Sequence, residues 1–461
     1  MDGNELTLQA LSECSREPVE TLREWLALGI LGSEGLEVFT RADVERVRLI
    51  QFLLRRGISV GEIVRAHQEE DLLARYLQMI FPTGIHPTYT LREAAEILGA
   101  DFDAVRRLWE ASGLSEQGDL VYEEDLQALR AFRVAEAAGL PEEALVQLAR
   151  VYADALGRVA EVESRLFHFY VHDRLRANGL AGRDLIAAGV VSGDQMTPLV
   201  EPAILYFHRK GRQRSAREDA VMYLHDVRGS EDDEVPGRLR VAIVFVDLAS
   251  FTQLTDAMGD QAAAQVIERF SQLVRETVKQ SEGRVVKQIG DGFMLVFPQP
   301  LAAVTCALEI ERRAVGESYF PAVRSGIHCG HVLYREGDYL GNTSNVAARL
   351  AAEAGRHQVL VSAAVREEVG SLPDAELVSL GKRRFKGLMD EIEVFEVVPL
   401  IQEQASHRVV DPVCGMELDP RQVAATLALR GQERAFCSQE CLQRFVATPE
   451  RYEVDKPLTP G

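Results

Sequence analysis

The sequence predicts a multidomain chain: a helical N-terminal half, a central α+β domain and a small cysteine-bearing α+β module at the C-terminal end. Three observations carry this expectation. With 461 residues the chain is too long for one hydrophobic core. Apolar residues recur with a helical period up to about residue 228, and from residue 238 strand-like and helix-like segments alternate to about residue 400. Three of the six cysteines, Cys414, Cys437 and Cys441, fall in the last fifty residues.

Composition narrows the function classes. The chain is 46% hydrophobic and 26% charged, ordinary for a globular protein. No apolar run approaches the roughly 18–20 residues that a membrane span needs. The first residues, MDGNELTLQA, lack the basic start and apolar stretch of a secretory signal. A cytoplasmic protein without a membrane partner is expected. A formal net charge of −20 opposes broad attraction to nucleic acid or anionic lipid, so an anionic substrate needs locally placed cations or metal ions. Six cysteines make no disulfide framework, and clustered thiols in a reducing compartment point to metal binding first.

The N-terminal part repeats itself. Thr7-Leu8, Leu22-Arg23-Glu24-Trp25, Gly29-Ile30-Leu31, Phe39, Asp43-Val44, Arg48 and Gly57-Ile58 return in order as Thr90-Leu91, Val105-Arg106, Trp109, Gly113-Leu114, Val121, Asp125-Leu126, Arg130 and Gly139-Leu140. Each copy reads as two short helices, a Gly-containing β-like wing and a further helix. TLREWLALGIL and VFTRADVERVRLI in the first copy resemble the MerR-type winged helix-turn-helix, and the second copy matches more weakly. Tandem modules of this kind also resemble regulatory segments upstream of some bacterial cyclases. The resemblance implies helix-turn-helix modules over 1–85 and 86–150.

DNA binding is disfavoured by charge. Residues 1–88 carry nine Arg, no Lys and fourteen Asp plus Glu; residues 89–150 carry six Arg and thirteen acids. A DNA reader gains affinity by neutralising phosphates. Arg41, Arg46, Arg48, Arg55 and Arg56 still offer one local basic patch. The preferred expectation is a pair of regulatory protein–protein elements. A helical linker or dimer stalk follows over 151–228, with runs at 141–178 and from about 196 to 228. The acidic GSEDDEVPG (229–237) reads as a linker.

Chemistry concentrates in 238–400. RVAIVFVDLASFT (240–252) reads as a buried strand ending in Asp247. Arg284–Ile289 and Gly292–Phe297 read as two strands closed by Gly290-Asp291-Gly292, because Asp-Gly between apolar runs is a strong hairpin signal. The turn exposes Asp291 at a tip where it can meet Asp247, and two convergent aspartates are a usual means of holding Mg²⁺ or Mn²⁺ on a nucleotide.

VFVDLASFT, VVKQIGDGFMLVF and GDYLGNTSNVAARL stand in order, followed by FKGLMDEIEVFEV. Together they resemble the class III adenylyl cyclase catalytic domain. The resemblance implies a ferredoxin-like βααββαβ core and a homodimer with active sites at the interface. It implies two Mg²⁺ or Mn²⁺ per site at Asp247, Leu248 and Asp291 of one chain, with Phe251 and Thr252 also on the substrate. Lys287, Asp338, Asn345 and Arg349 would come from the other chain.

The substrate and product implied are ATP and cyclic AMP. Adenine accepts at N1 and donates from its 6-amino group, so Lys287 and Asp338 complement it, whereas guanine reverses both groups. Arg349 suits charge developing on the α-phosphoryl oxygens, and Asn345, four residues earlier on the same helical face, suits the ribose. Ser250 stands where the family commonly has Gly, and Ser344 where Val often precedes the Asn. His328 and Cys329 carry no family role and are read as structural. The competing readings are a MerR-type transcription regulator that senses nucleotide through a cyclase-like domain, and a guanylyl cyclase.

The tail, DPVCGMELDP and RGQERAFCSQECLQRFVATPERY, resembles the YHS domain over 408–455, joined through a short polar connector, QEQAS. The resemblance implies a metal-associated module in which the thiols of Cys414, Cys437 and Cys441 are ligands for Zn²⁺ or a copper ion.

Overall fold

The computed structural model describes residues 6–32, 37–80, 88–113, 120–226, 235–400 and 408–452. Most of the linker expected at 229–237 and the connector QEQAS lie outside the described residues. The chain divides into two compact units, residues 1–230 and 231–461.

The first unit builds two separate cores from corresponding positions. Leu11, Leu22, Trp25, Leu26, Phe39 and Val44 belong to one, and Ala94, Val105, Leu108, Trp109, Val121 and Leu126 to the other. Their helix starts are capped alike. The Thr7 hydroxyl accepts from the Ala10 amide at 3.2 Å and the Thr90 hydroxyl from the Glu93 amide at 3.2 Å. Asp43 and Asp125 each accept the backbone N–H three residues earlier, at 2.7 and 2.8 Å. Strand β1 (Thr88–Thr90) pairs with β2 (Leu120–Tyr122), and the isolated bridge Leu6–Phe39 takes the same place in the first copy.

Long helices follow. Glu142–Phe167 passes through a π-helical turn, His168–His172, into Asp173–Ala177. The next helix spans Gly182–Asp226, starting well before the expected residue 196 and continuing through Pro198 and Pro202. Those prolines remove only their own amide donors, and solvent can satisfy the freed carbonyls of an exposed helix. Tyr152, Leu156, Val159, Leu166 and Tyr170 form an exposed apolar stripe at helical spacing. Among the described residues no helix is long and apolar enough to cross a membrane.

The second unit is built on one sheet with strand order β10-β11-β9-β7-β3-β5-β4. Its strands are β3 (Arg238–Leu248), β4 (Arg284–Ile289), β5 (Gly292–Phe297), β7 (Val323–Arg335), β9 (Val359–Ser362), β10 (Ala375–Arg383) and β11 (Ile392–Pro399), with β8 (Asp338–Leu340) folded back on β7. Among the described residues only β7 and β9 pair in parallel. Ala242, Val244, Val246 and Leu248 point into the large core with Phe270 and Ile310 from the helices Asp260–Gln280 and Pro300–Gly316. Ile243 points to the opposite face with Met294, Val332 and Ala347. Both faces of β3 are covered, which is why its sequence runs apolar almost without a break.

The cysteine-bearing segment shares the large core: Val413, Cys414, Met416, Phe436, Cys441 and Phe445 belong to it. It is also stitched on by backbone pairing. Strand β12 (Val409–Val410) pairs with β13 (Met416–Leu418), and β13 with β6 (Phe320–Pro321), which precedes β7. A hairpin, β14 (Ala425–Leu429) and β15 (Gln432–Phe436), and a helix, Gln439–Ala447, complete it.

Candidate active site

Asp247, one residue before the end of β3, stands opposite Gly292 on β5 and Arg324 on β7. β4 and β5 join through a two-residue turn, Gly290-Asp291, with Gly290 at φ +60°. The turn brings Asp291 within hydrogen-bonding reach of Asp247. Burial, and then the charge of Asp247, push the Asp291 carboxyl up to about 6. Two carboxylates held together at this cost make a donor set suited to hard divalent cations. Gly292 permits the approach, since a Cβ there would lie 3.0 Å from Asp247 Oδ1. The Leu248 side chain is buried in the core, so only its backbone can face a ligand.

The loop beyond Asp247 turns at Ser250, with φ +65°, into the helix Phe251–Met258. A left-handed residue is where Gly is free of strain, which explains the physical consequence of Ser at this position. Phe251 packs partly against the core and Thr252 is exposed at the start of the helix.

Lys287 on β4 and Asp338 at the start of β8 form an ion pair within the chain. Asp338 also accepts the Tyr339 amide at 2.9 Å. Asn345 and Arg349 lie on the outward face of the helix Asn342–Glu353, whose inner face buries Val346, Ala347, Leu350 and Ala351. Both are exposed, and neither side chain has a hydrogen bond or ion pair among the described residues. Three groups therefore stand on this unit: the aspartate pair, the Lys287–Asp338 pair, and the outward-facing Asn345 and Arg349.

A second cluster lies in the tail. Cys437 Sγ is 3.5 Å from both Cys414 Sγ and Cys441 Sγ. The buried Asp411 joins them, accepting amide N–H groups from Val413 at 2.8 Å, Cys414 at 3.3 Å and Cys437 at 2.7 Å. These four residues form a group able to hold a metal ion.

Residues 236–398 match the family described as adenylate and guanylate cyclase catalytic domain. Residues 29–207 match the adenylate cyclase regulatory domain, and residues 409–454 the YHS domain. An adenylate cyclase of Streptomyces coelicolor is 30% identical over 309 residues, 66% of this chain and 78% of that one. An adenylate cyclase of Glutamicibacter nicotianae is 30% identical over 285 residues, 59% and 69% of the two chains. The pH-sensitive adenylate cyclase of Mycobacterium tuberculosis is 28% identical over 365 residues, 77% and 88%. Among solved structures, an adenylyl cyclase of P. aeruginosa aligns at 18% identity with TM-score 0.32 over 36% of this chain and 96% of that one.

The chain belongs to the adenylate cyclases. A catalytic domain of this family implies dependence on divalent metal ions. From residue 29 onward the stretch whose motifs resemble MerR modules is matched in this cyclase by a cyclase regulatory domain.

Sequence reasoning missed several residues that shape the candidate site. Arg324 binds Asp247 through Nε at 3.1 Å and Nη2 at 2.5 Å. Gly326 lets the Asn345/Arg349 helix sit on β7: a Cβ there would lie 2.0 Å from the Ala351 amide nitrogen. Thr343 fastens the same helix, its hydroxyl donating to the His331 carbonyl at 2.7 Å. No local pattern marks these residues, because each acts on a partner brought close by the sheet. His328 and Cys329 sit inside the sheet. His328 Nδ1 lies 2.7 Å from the Ser362 hydroxyl, and burial lowers its pKa to about 4.

Proposed function

We propose that the cyclase converts ATP to 3′,5′-cyclic AMP and pyrophosphate in sites completed between two copies of the chain, under control of its N-terminal helical modules. The observation that carries the choice of base is the Lys287–Asp338 ion pair. Its ammonium offers a donor to adenine N1 and its carboxylate an acceptor to the 6-amino group. Guanine would meet a donor with a donor and an acceptor with an acceptor.

Asp247, the Leu248 backbone and Asp291 would hold two Mg²⁺ or Mn²⁺. When bound, these ions supply acidification of the ribose 3′-hydroxyl and neutralisation of the phosphates. Gly290 and Gly292 position the Asp291 turn, and the helix starting at Phe251 and Thr252 turns its amides toward the phosphates. Arg349 stabilises charge building on the α-phosphoryl oxygens as the 3′-oxygen attacks and pyrophosphate leaves, and Asn345 orients the ribose.

The dimer reading is supported by the outward, unpaired placement of Asn345 and Arg349, which await a ligand from outside their own aspartate cluster. The exposed apolar stripe from Tyr152 to Tyr170 supports pairing along the helical region. In this reading residues 238–400 form a ferredoxin-like βααββαβ catalytic domain. Residues 1–85 and 86–150 are winged helix-turn-helix modules acting on protein, with 151–228 as the connecting stalk and 408–455 as the YHS-like module. Pairing of Arg48 with Glu45, and stacking of Arg56 on Phe52 at 5.0 Å, leave less of the basic patch for phosphates. A small rigid-body shift between two catalytic halves is enough to switch a site built across them.

The test is cyclic-nucleotide production by purified protein with Mn²⁺ and either ATP or GTP, beside Asp291→Ala. Cyclic AMP from ATP, lost in the variant, is expected. Cyclic GMP as the main product would overturn the base assignment.

A further inference from the structure

The tail does not hang from the catalytic part; it presses on the loop that follows Asp247. Gly415, directly after Cys414, has φ +74°, and a Cβ there would lie 2.8 Å from the Ser250 Cβ. Arg356 donates to the Gly415 carbonyl at 2.9 Å and to Glu417 at 3.0 Å, pinning the same turn from the other side. Ser250 itself stands directly before the helix Phe251–Met258 and three residues past Asp247. A displacement of Cys414 therefore reaches the catalytic loop through one intervening residue.

Cys414 is one of three thiols held within reach of a single ion. They come from different segments: the turn before β13, the end of β15 and the first turn of the helix Gln439–Ala447. Asp411 fixes the backbone on both sides of the cluster, so the sulfurs are placed before any ion arrives. Asp411 Oδ1 accepts two of these amides and Oδ2 one, so the residue positions the cluster and keeps a lone pair on Oδ2 beside the three sulfurs. A cleft of about 220 Å³ reaches Cys437, with Met258, Met416 and Arg269 also in its lining. A donor set dominated by three sulfurs selects soft d10 cations over Mg²⁺ or Mn²⁺.

We propose that a thiophilic d10 cation, Cu⁺ or Zn²⁺, held by Cys414, Cys437 and Cys441 as the YHS resemblance implies, raises the cyclase rate by holding Gly415 against Ser250. Binding releases the thiol protons to solvent and changes no oxidation state. The ion ties the Cys414 turn to the helix carrying Cys441, and the turn then holds Ser250 in its left-handed conformation, keeping Asp247 and the helix start at Phe251 in register. The regulatory half rests on the assignment of Asp247 to the catalytic metals; the binding half does not.

The test uses the full-length protein, reduced and stripped by a chelator. Cu⁺ is presented as its bicinchoninate complex and Zn²⁺ against a chromophoric competitor, with bound metal measured per chain and cyclic AMP formation measured in parallel. One ion per chain and a rise in rate of about five-fold are expected, the size of an ordinary coupling between sites. Cys441→Ser should lose both stoichiometric binding and the response; where it fails to fold by circular dichroism, Cys437→Ala replaces it. Ser250→Gly should keep one ion per chain and respond less than about two-fold. Stoichiometric binding of neither ion, an unchanged rate in the loaded wild type, or a full response in folded Cys441→Ser would each overturn the proposal. One ion per chain with no cyclic AMP in any state would instead remove the catalytic reading and leave the metal site standing.

Discussion

Asp247 and Arg324 stand opposite each other in the β3–β7 ladder, and two nitrogens of the guanidinium reach the same carboxylate oxygen, Oδ2. Arg324 thus acts as a resident counter-ion to the aspartate pair, while Oδ1 stays on the Gly292 side, toward the Asp291 turn. Removing it leaves two partly buried carboxylates facing each other with less compensation. In Arg324→Gln, metal-free stability should fall by about 1 kcal/mol, a value reduced for the partial exposure of the pair. The gap in melting temperature between Mn²⁺-loaded and chelator-treated protein should widen. An unchanged gap would show that Arg324 does not compensate the pair.

The elevated Asp291 carboxyl gives a pH-dependent prediction for the metal-free protein. Its folded value of about 6 exceeds the ordinary 3.8, so the folded chain retains a proton that the unfolded chain has already released between those values. The destabilisation is absent below about pH 4 and complete above about pH 6. Asp291→Asn removes it. Chelator-treated Asp291→Asn should melt roughly 2–4 °C above wild type at pH 8 and level with it at pH 4, after discounting for partial exposure. The same variant should lose at least ~100-fold in cyclic AMP formation. Equal melting at pH 8 would show that the carboxylates do not strain the site.

The sheet and the site were legible to different depths. Apolar runs on both sides of Gly290-Asp291-Gly292 marked the hairpin, because turn chemistry is written in adjacent residues. Arg324 was not legible: it meets Asp247 across 77 residues of sequence, through a strand register that no short window encodes. Gly326 is a similar case, since the need for a glycine arises only once the helix bearing Ala347 and Ala351 crosses β7. Pairing of β13 with β6 left no trace either, because two- and three-residue strands are too short to show alternation. The helix from Gly182 reads short in the sequence because Gly189 and Gly193, ahead of residue 196, signal a break more strongly than its weak apolar period signals continuity.

A site completed between two chains has a test that no single-chain site passes. Asp291→Ala removes one half and Arg349→Ala the other, and each variant alone should be inactive. Mixed and allowed to exchange, they should recover roughly a quarter of the wild-type rate, since half of the dimers are mixed and each carries one intact site of two. Recovery should depend on protein concentration. Absence of recovery, with subunit exchange verified by a labelled chain, would mean that both halves act within one chain.

His357 gives the docking of the tail its own pH limit. Its ring nitrogens lie 2.7 Å from Glu417 on β13 and 3.2 Å from Glu311 on the helix Pro300–Gly316, with Arg356 also on Glu417. Burial opposes the charged imidazole, but the two carboxylates outweigh it and raise its pKa to about 9. A histidine whose folded pKa is raised contributes fully below its unfolded value of 6.5 and loses that contribution as pH rises through about 9. Exchange protection of the amides in Met416–Leu418, corrected for intrinsic rate, should therefore fall about ten-fold between pH 7 and pH 9.5, corresponding to roughly 1.4 kcal/mol. His357→Gln should begin with the lower protection at pH 7 and change little across the same interval. If wild type and variant lost protection in parallel, the pH limit would belong to another group and the Glu311–His357–Glu417 bridge would not govern docking.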